Sequence, residues 1–421
     1  MNKTLKYSTI SIAIAGIIGL SGCGGGGGSS SGTDSVTTSG VITGFGSVYV
    51  NGVEYETDGS SFSLDDGDDG IESEDELEVG MVVTLTGTQN ADGVTGTATH
   101  IEYDDELEGI VSANNVSNGT GTLVTMGQTV NVDADTEFEN DAGILDSSGA
   151  LTDSIDMIEA GNIIEVSGYP DGMGSIYATY VELKDDAHSP GEEIEVKGIV
   201  EDDNDTDMLF MLGDLSVDFS NAALPDGIPA AGDYVEVKST AGFTGEALIA
   251  SEVELEDDLD DIDGHEGDEV ELSGTVTAVE PDILIGMQVI IISDATYFEH
   301  GSRADIVTGV DLEVEGYLDT DGALIAEEVE FHIDGDHEIE GPVEAVTGTG
   351  ADGSITVSGL ELLVNADTVM LDEQDDYGVP ERYFGLDDLR AGDYVEIKYY
   401  ADNTTGNLVA TKVEREDQTE D

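Results

Sequence analysis

The sequence predicts an all-β protein, a tandem series of small five-stranded OB-like barrels that follow a signal peptide and a flexible tether. Three observations predict it. One ten-residue pattern occurs five times in the 421 residues, with its glycines at 80, 161, 232, 309 and 392, spaced 81, 71, 77 and 83 residues apart. Apolar and polar residues alternate with period two inside each copy, as half-buried strands require. Turn formers such as Ala91-Asp92-Gly93, Pro170-Asp171-Gly172 and Thr320-Asp321-Gly322 separate the alternating runs, so each pair reads as a hairpin. Repetition at this period points to one supersecondary unit used many times.

The chain opens with Lys3 and Lys6, then an apolar stretch over 10–20 that falls short of the ~20 residues needed to span a bilayer. That is a signal-peptide pattern, assigned here to 1–22. Leu20-Ser21-Gly22-Cys23 follows, and Cys23 is the only cysteine. These four residues resemble the lipobox of bacterial lipoproteins. The resemblance implies cleavage before Cys23 and acylation of its sulfur and new amino group, and Gly24 in place of Asp implies release to the outer membrane. The chemistry suits a thiolate nucleophile, and several acyl chains at about 0.8 kcal/mol per buried CH₂ would hold the protein on the membrane. Residues 23–39 form the lipidated cysteine and a Gly/Ser tether with a reach of roughly 20–24 Å. GSSSG at 28–32 matches a nucleophile elbow in letters only, because that motif needs a strand before it and a helix after it.

The repeats divide as 40–106, 107–190, 191–262, 263–337 and 338–421, the last including an acidic tail. In each, the glycine strand (EVGMVVTLTG at 78–87, EAGNIIEVSG at 159–168, RAGDYVEIKY at 390–399) precedes Ala-x-x-Val/Ile-Glu-apolar by 17 or 18 residues. Tyr103, Leu183, Leu255 and Phe331 fill the last position, and Arg415 breaks it in the fifth copy. Upstream reads as a second hairpin, a Gly-x-Val strand such as 109–111 and a strand opening with glycine (127–132, 213–217, 286–291, 359–364). A third segment follows at 133–138 and 294–298. Stretches at 151–160 and 386–391 suit one or two helical turns. Five strands with a small helix between the third and fourth is the OB-like layout; a β-sandwich is the alternative. Internal acidic runs (104–106, 185–186, 256–263, 334–336) read as junctions, because dense like charge resists packing, giving a string of separate barrels.

The first copy opens Gly40-Val41-Ile42-Thr43-Gly44-Phe45-Gly46-Ser47-Val48-Tyr49-Val50-Asn51-Gly52-Val53. This resembles a bacterial domain family of unknown function whose members open GxVTGFGSVxVNGV and occur on secreted or lipid-anchored proteins. The resemblance implies location and modular architecture and brings no catalytic residues.

Composition bounds the partners. With 95 Asp and Glu against 11 Lys and Arg, and a formal charge of −84, the chain repels phosphate backbones, so nucleic acid is excluded as a partner. The same field attracts divalent cations and basic envelope proteins, and it suits a salty habitat. Apolar residues at 38% suffice for folding. With no Trp, sugar stacking would rest on the 15 Tyr.

Catalytic constellations are not found, and the protein reads as a non-enzyme. His332-Ile333-Asp334-Gly335-Asp336-His337 is similar to the HxHxDH of metallo-β-lactamase-like hydrolases, but Asp334 replaces the middle His, and a solvated acidic loop is the better reading. An EF-hand register on Gly264 puts Leu259 at position one and Val270 at twelve, where acids belong. No cofactor is implied beyond loosely bound Ca²⁺ at 256–263 or 201–207. Glu102, Glu182, Glu254, Glu330 and Glu414 alternate with buried positions and should face water. The expected function is a non-enzymatic, lipid-anchored outer-membrane lipoprotein, on the periplasmic or cell-surface face, serving as a spacer or binding surface. A divalent-cation-dependent adhesin or ligand-binding module is the alternative, and an envelope hydrolase would need a site the sequence lacks.

Overall fold

The structure, a computed structural model, describes residues 34–64, 73–140, 143–145, 149, 151–152, 154–201, 208–256, 269–333, 335, 337–350, 352–372, 384–402 and 405–416. Cys23 and the tether to residue 33 therefore lie outside the described residues, as do Asp334, Asp336 and most of both acidic segments suggested for Ca²⁺.

Barrel 1 contains β1 (Asp34–Gly44), β2 (Val48–Val50), β3 (Val53–Glu56), β4 (Ser61–Leu64), β5 (Val82–Gln89) and β6 (Thr95–Tyr103). β1 pairs antiparallel with β2 and β5, β2 with β3, and β5 with β6. A parallel pairing of β3 with β6 closes the ring, which is the OB order and leaves no free edge. β4 lies parallel to the far half of β6, and a 3₁₀ turn at Glu74–Glu76 precedes β5.

The same circuit recurs. Barrel 2 uses β7 (Leu107–Asn114), β8 (Gly121–Thr125), β9 (Gln128–Val132), β10 (Glu137–Glu139), β11 (Ile163–Pro170) and β12 (Ser175–Asp185). Barrel 3 uses β13 (Ile194–Ile199), β14 (Leu209–Leu212), β15 (Leu215–Asp218), β16 (Tyr234–Ser239), β17 (Phe243–Thr244), β18 (Ala247–Ile249) and β19 (Glu252–Leu255). Its last strand is split between β18 and β19, and one bridge, Val200 to Leu212, joins its first two strands. Barrel 4 uses β20 (Glu269–Ala278), β21 (Ile283–Ile285), β22 (Gln288–Ile291), β23 (Tyr297–Glu299), β24 (Asp311–Leu318) and β25 (Leu324–Phe331). Barrel 5 uses β26 (His337–Thr349), β27 (Asp352–Val357), β28 (Leu360–Val364), β29 (Val369–Asp372), β30 (Tyr394–Ala401) and β31 (Leu408–Glu416). The fold is all-β, and closed barrels replace the sandwich alternative.

One strand assignment needs correction. The glycines at 127, 213, 286 and 359 do not begin the second strand; they sit in two-residue turns between the second and third. Asn51-Gly52 (φ 50 and 69), Met126-Gly127 (φ 51 and 77) and Ser358-Gly359 (φ 50 and 78) have both turn residues at positive φ, as a type I′ hairpin demands. The segment expected as the third strand, Glu137–Glu139 in barrel 2, is a short parallel flank on β12. The small helix is a 3₁₀ turn at Ile155–Met157 and at Arg303–Asp305, whereas at 386–391 the chain turns without a helix and buries Leu386 and Leu389.

Inward positions of each barrel make its core. Ile42, Leu77, Leu85 and Ile101 in barrel 1 are fully buried, each contributing about 1.5–3 kcal/mol of transfer free energy. The barrels do not hang as a string. β1 runs parallel to β20, joining barrels 1 and 4 into one sheet, and β7 pairs with β13, joining barrels 2 and 3. Tyr169 of barrel 2 enters the core of barrel 4, where its hydroxyl donates to Ser273 O at 2.8 Å. Tyr180 of barrel 2 packs against the core of barrel 1. The acidic run at 104–106 is thus enclosed by neighbouring barrels, and its charge is met by a lysine.

Candidate functional site

The outer faces of the barrels carry the chemistry. Four and six residues after each repeat glycine, side chains alternate away from the core: Thr84 and Thr86, Glu165 and Ser167, Glu236 and Lys238, Glu313 and Glu315, Glu396 and Lys398. All five lysines beyond residue 6 lie on such faces, each beside a carboxylate. Lys184 is 2.7 Å from Glu165, Lys238 is 3.5 Å from Glu195, Lys398 is 2.8 Å from Asp135, Lys412 is 2.9 Å from Glu137, and Lys197 pairs with Asp104. Three of these pairs cross between barrels, so the lysines also fasten barrel to barrel. Burial opposes the charge on Lys197, but Asp104, Glu106 and Glu236 outweigh it and hold the ammonium well above its ordinary pKa. Burial raises Asp105 in the same place, with Glu195, Glu165 and Asp104 adding to it and Lys197 opposing it, and its Oδ2 has no hydrogen-bond partner among the described residues.

Barrel 4 breaks the pattern. Cross-strand partners Glu195–Lys238 in barrel 3 and Glu338–Lys398 in barrel 5 correspond to Glu271–Glu315 in barrel 4. Glu315 also faces Glu328 on the adjoining strand, whereas Glu313–Glu330 repeats a Glu–Glu pair that barrels 2, 3 and 5 share as Glu165–Glu182, Glu236–Glu254 and Glu396–Glu414. Directly opposed like charges destabilise a sheet. Glu271 is only 7% exposed, lies beside Thr38 of β1, and accepts no hydrogen bond among the described residues. Burial, then Glu315, Asp367 and Glu269, push it up to about 8. Burial and Glu271 likewise raise Glu313 well above the carboxylate range. Asp367 of barrel 5 turns its carboxyl over this seam, where a Cβ on Gly52 would come within 2.6 Å of Oδ1. Asn51 supports the seam, donating to Ser39 O at 3.1 Å and accepting from Ser273 Oγ at 2.6 Å.

A cavity of about 370 Å³ opens where barrels 1, 2 and 5 meet, bordered by Glu78, Glu137, Tyr180, Met370, Asp372 and Lys412. Glu137 is raised by burial and lowered by Lys412, and Tyr180 donates to Glu139 at 2.8 Å. No histidine lines the cavity among the described residues, so it offers carboxylates and one ammonium but no Ser–His pair.

His332 continues β25 and donates its backbone N–H to Asp311 O, while the His337 ring meets Tyr399 at 5.3 Å between centroids. Among the described residues, one trio brings carboxylate oxygens within 4.8 Å of one another: Glu338, Glu340 and Glu396 on barrel 5. Glu102, Glu182, Glu254, Glu330 and Glu414 do leave the cores but are half-buried, because neighbouring barrels cover the outer faces. The acid face of barrel 4 escaped the sequence reading. Its signal was there: lysine in sister repeats, glutamate at 315.

The model of a domain of unknown function, DUF5666, matches residues 37–102, 108–182, 273–330 and 340–414. The chain belongs to the DUF5666 family. Barrel 3 is the one barrel outside the DUF5666 matches, and it is also the one with the split final strand. Among solved structures, the chain is similar to Drosophila Unr CSD456, at 15% identity, over 53% of this chain and 97% of that one, with a TM-score of 0.13. It is also similar to a multidomain protein with nucleic acid binding domains from Streptococcus pneumoniae TIGR4, at 11% identity, over 54% and 74%, with a TM-score of 0.13. No curated protein matches the chain. The tandem DUF5666 copies identify the repeated unit without assigning it a role.

Proposed function

We propose that this DUF5666 protein is a non-enzymatic lipoprotein of the bacterial cell envelope, anchored to the outer membrane through Cys23. Its packed barrels serve as a modular spacer or binding surface on the periplasmic or outer face. One observation carries the reading: Leu20-Ser21-Gly22-Cys23 closes a short apolar run and opens a glycine tether. A lone cysteine at that border has a use as an acyl acceptor and none in a disulfide. The outer-face ion pairs support a structural part for the charged residues, since each lysine is spent on a neighbouring carboxylate.

Metabolic labelling with an alkyne palmitate analogue tests it. Wild type should be tagged and sediment with outer membranes, while Cys23→Ser should be untagged and soluble. Equal labelling of both would overturn the anchor. A cation-dependent binding module is the second reading, favoured by the uncompensated acids of barrel 4. A deposit of charge of that kind repels nucleic acid, which we leave outside the proposal.

A further inference from the structure

We propose that the open edge of β26 in barrel 5, over 338–340, receives an extended basic segment of another protein as an added antiparallel strand. That segment carries lysine or arginine at alternate residues, facing Glu338 and Glu340.

The first half of every barrel's first strand has two edges. One pairs with the glycine strand of its own barrel, β5, β11, β16, β24 or β30. In barrels 1 to 4 the other edge is taken by the first strand of a sister barrel. β1 and β20 meet there as Thr37–Val270, Thr38–Glu271 and Ser39–Leu272, and β7 and β13 as Leu107–Val196 and Glu108–Glu195. Five barrels make two such pairs and leave one over. Among the described residues no strand lies on that edge of β26, and β27 joins only from Val343 onward. Burial follows the pairing: Thr38, Leu107, Val196 and Glu271 are buried at their joints, whereas Glu338 and Glu340 are exposed. An edge of this kind presents unpaired backbone N–H and C=O groups to any incoming strand. The register can be copied from inside the molecule. Leu107 and Val196 each stand two residues before the glycine of their strand, so the joint of barrels 2 and 3 is nearly two-fold, and Ile339 holds the same position in barrel 5. Pairing centred on Ile339 spans 338–340 and ends before Pro342, which has no N–H to give.

Charge decides the occupant. Carboxylate oxygens of Glu338, Glu340 and Glu396 lie within 4.8 Å of one another beside this edge. Lys398, across from Glu338 on β30, reaches away to Asp135 and Ala134 O of barrel 2. A second copy of the chain would set Glu338 against Glu340 twice about the two-fold axis, and directly opposed like charges destabilise a pairing. The joint of barrels 2 and 3 shows what is needed instead. There β13 brings Lys197, whose backbone N–H donates to Glu106 O at 3.3 Å while its ammonium meets Asp104. Glu106 stands three residues before Gly109, as Glu338 does before Gly341. A basic strand on β26 would repeat that contact at Glu338 and add another at Glu340. Backbone bonds would set its direction and register, and the glutamates would select its side chains. The inference rests on the reading of the barrels as a binding surface and names its partner; it is independent of the lipid anchor.

The probe is a fluorescent hexapeptide of alternating lysine and valine, blocked at both ends, titrated by anisotropy into the full-length chain in detergent at about 0.15 M salt. Wild type should bind it saturably, one to one, with slowed amide hydrogen exchange at 337–341. The same peptide N-methylated at every residue keeps its charge but cannot donate to the edge, and it should bind at least roughly tenfold more weakly. The double variant Glu338→Lys/Glu340→Lys should weaken the unmodified peptide by a similar factor. Cys23→Ser should bind as wild type does, so failure of the anchor and failure of this site read out separately. Equal binding of the N-methylated peptide would reduce the effect to bulk charge attraction and overturn the proposal; because that comparison uses wild type, misfolding of a variant cannot obscure it. Unchanged binding by the double variant would overturn it too, as would a wild-type dimer in sedimentation that protects 337–341, which would put a second copy on the edge.

Discussion

Arg415 is the place where the repeat pattern fails, and the reason is testable. It is 3% exposed, with Nε donating to Asp372 Oδ1 at 2.8 Å and Nη2 to Oδ2, a two-pronged pair inside barrel 5. Its guanidinium lies 4.7 Å from the centroid of the Phe384 ring, and Nη1 reaches Asp388 O at 3.4 Å. Asp372→Ala removes the main counter-charge and leaves a buried cation. Breaking such a pair costs about 3–5 kcal/mol. Asp393, 3.8 Å from Nη1, remains to offset part of that charge, so the lower end, about 3 kcal/mol, is expected. With m near 1–3 kcal/mol/M in urea, the unfolding midpoint of barrel 5 should fall by roughly 1–3 M. Circular dichroism in urea at pH 7 reads this directly. The double variant Asp372→Leu/Arg415→Met, which restores the apolar residue of the other copies, should recover to within ~1 kcal/mol of wild type or exceed it. The reasoning fails if Asp372→Ala costs less than about 1 kcal/mol, or if the double variant is no better than the single.

Three further outcomes follow from the joints between barrels. Tyr169→Ala empties a site in the core of barrel 4 and should cost about 3–5 kcal/mol by thermal melting, whereas Tyr169→Phe, losing the bond to Ser273, should cost about 1. Gly40→Ala would put a methyl into Asn51 Oδ1 and Ser273 Oγ, so a loss of about 1–3 kcal/mol is expected, partly recovered by adding Asn51→Ala. In EDTA the melting point should fall as pH rises. Glu271 is raised to about 8 in the fold, above its unfolded value near 4.3, so its contribution is complete below the lower value and gone above the upper. Glu271→Gln should flatten that slope, and a melting point that climbs from pH 5 to 8 would contradict it.

Much of the architecture is legible in the residues, and the failures have a common cause. The last hairpin of every repeat, β5–β6 through β30–β31, could be read because one face is buried in the barrel core and the other is polar, which leaves clean alternation, with an Asp-Gly turn in repeats 1, 2 and 4. The closing strands were harder. β8 and β14 are short, and the glycine after each could be taken as a strand start, because a two-residue turn differs from a strand opening only in the sign of φ. Contacts between barrels left less trace. Nothing near Tyr169 distinguishes a tyrosine that enters a neighbour's core from one that faces water, and β1 pairs with β20 across more than two hundred residues of chain. The acidic runs misled for the same reason: like charge resists packing only where no counter-charge arrives, and Lys197 comes to Asp104 from 93 residues away.

A chain of formal charge −84 can still pack five barrels side by side because net charge and local charge are different quantities. Excess acid spread over the solvated surface is screened within about 8–10 Å at ordinary ionic strength. Acid enclosed at a joint is screened much less. Three of the five lysines on the barrels are accordingly paired across joints, Lys197 of barrel 3 with Asp104, and Lys398 and Lys412 of barrel 5 with Asp135 and Glu137 of barrel 2. On this principle barrel 4 should be the weak joint of the molecule once its buried carboxyls ionise. Limited proteolysis at pH 9 should therefore cut first at the borders of barrel 4, near 257–268 or 333–337, and first cleavage at the border of barrels 2 and 3, near 186–193, would contradict this.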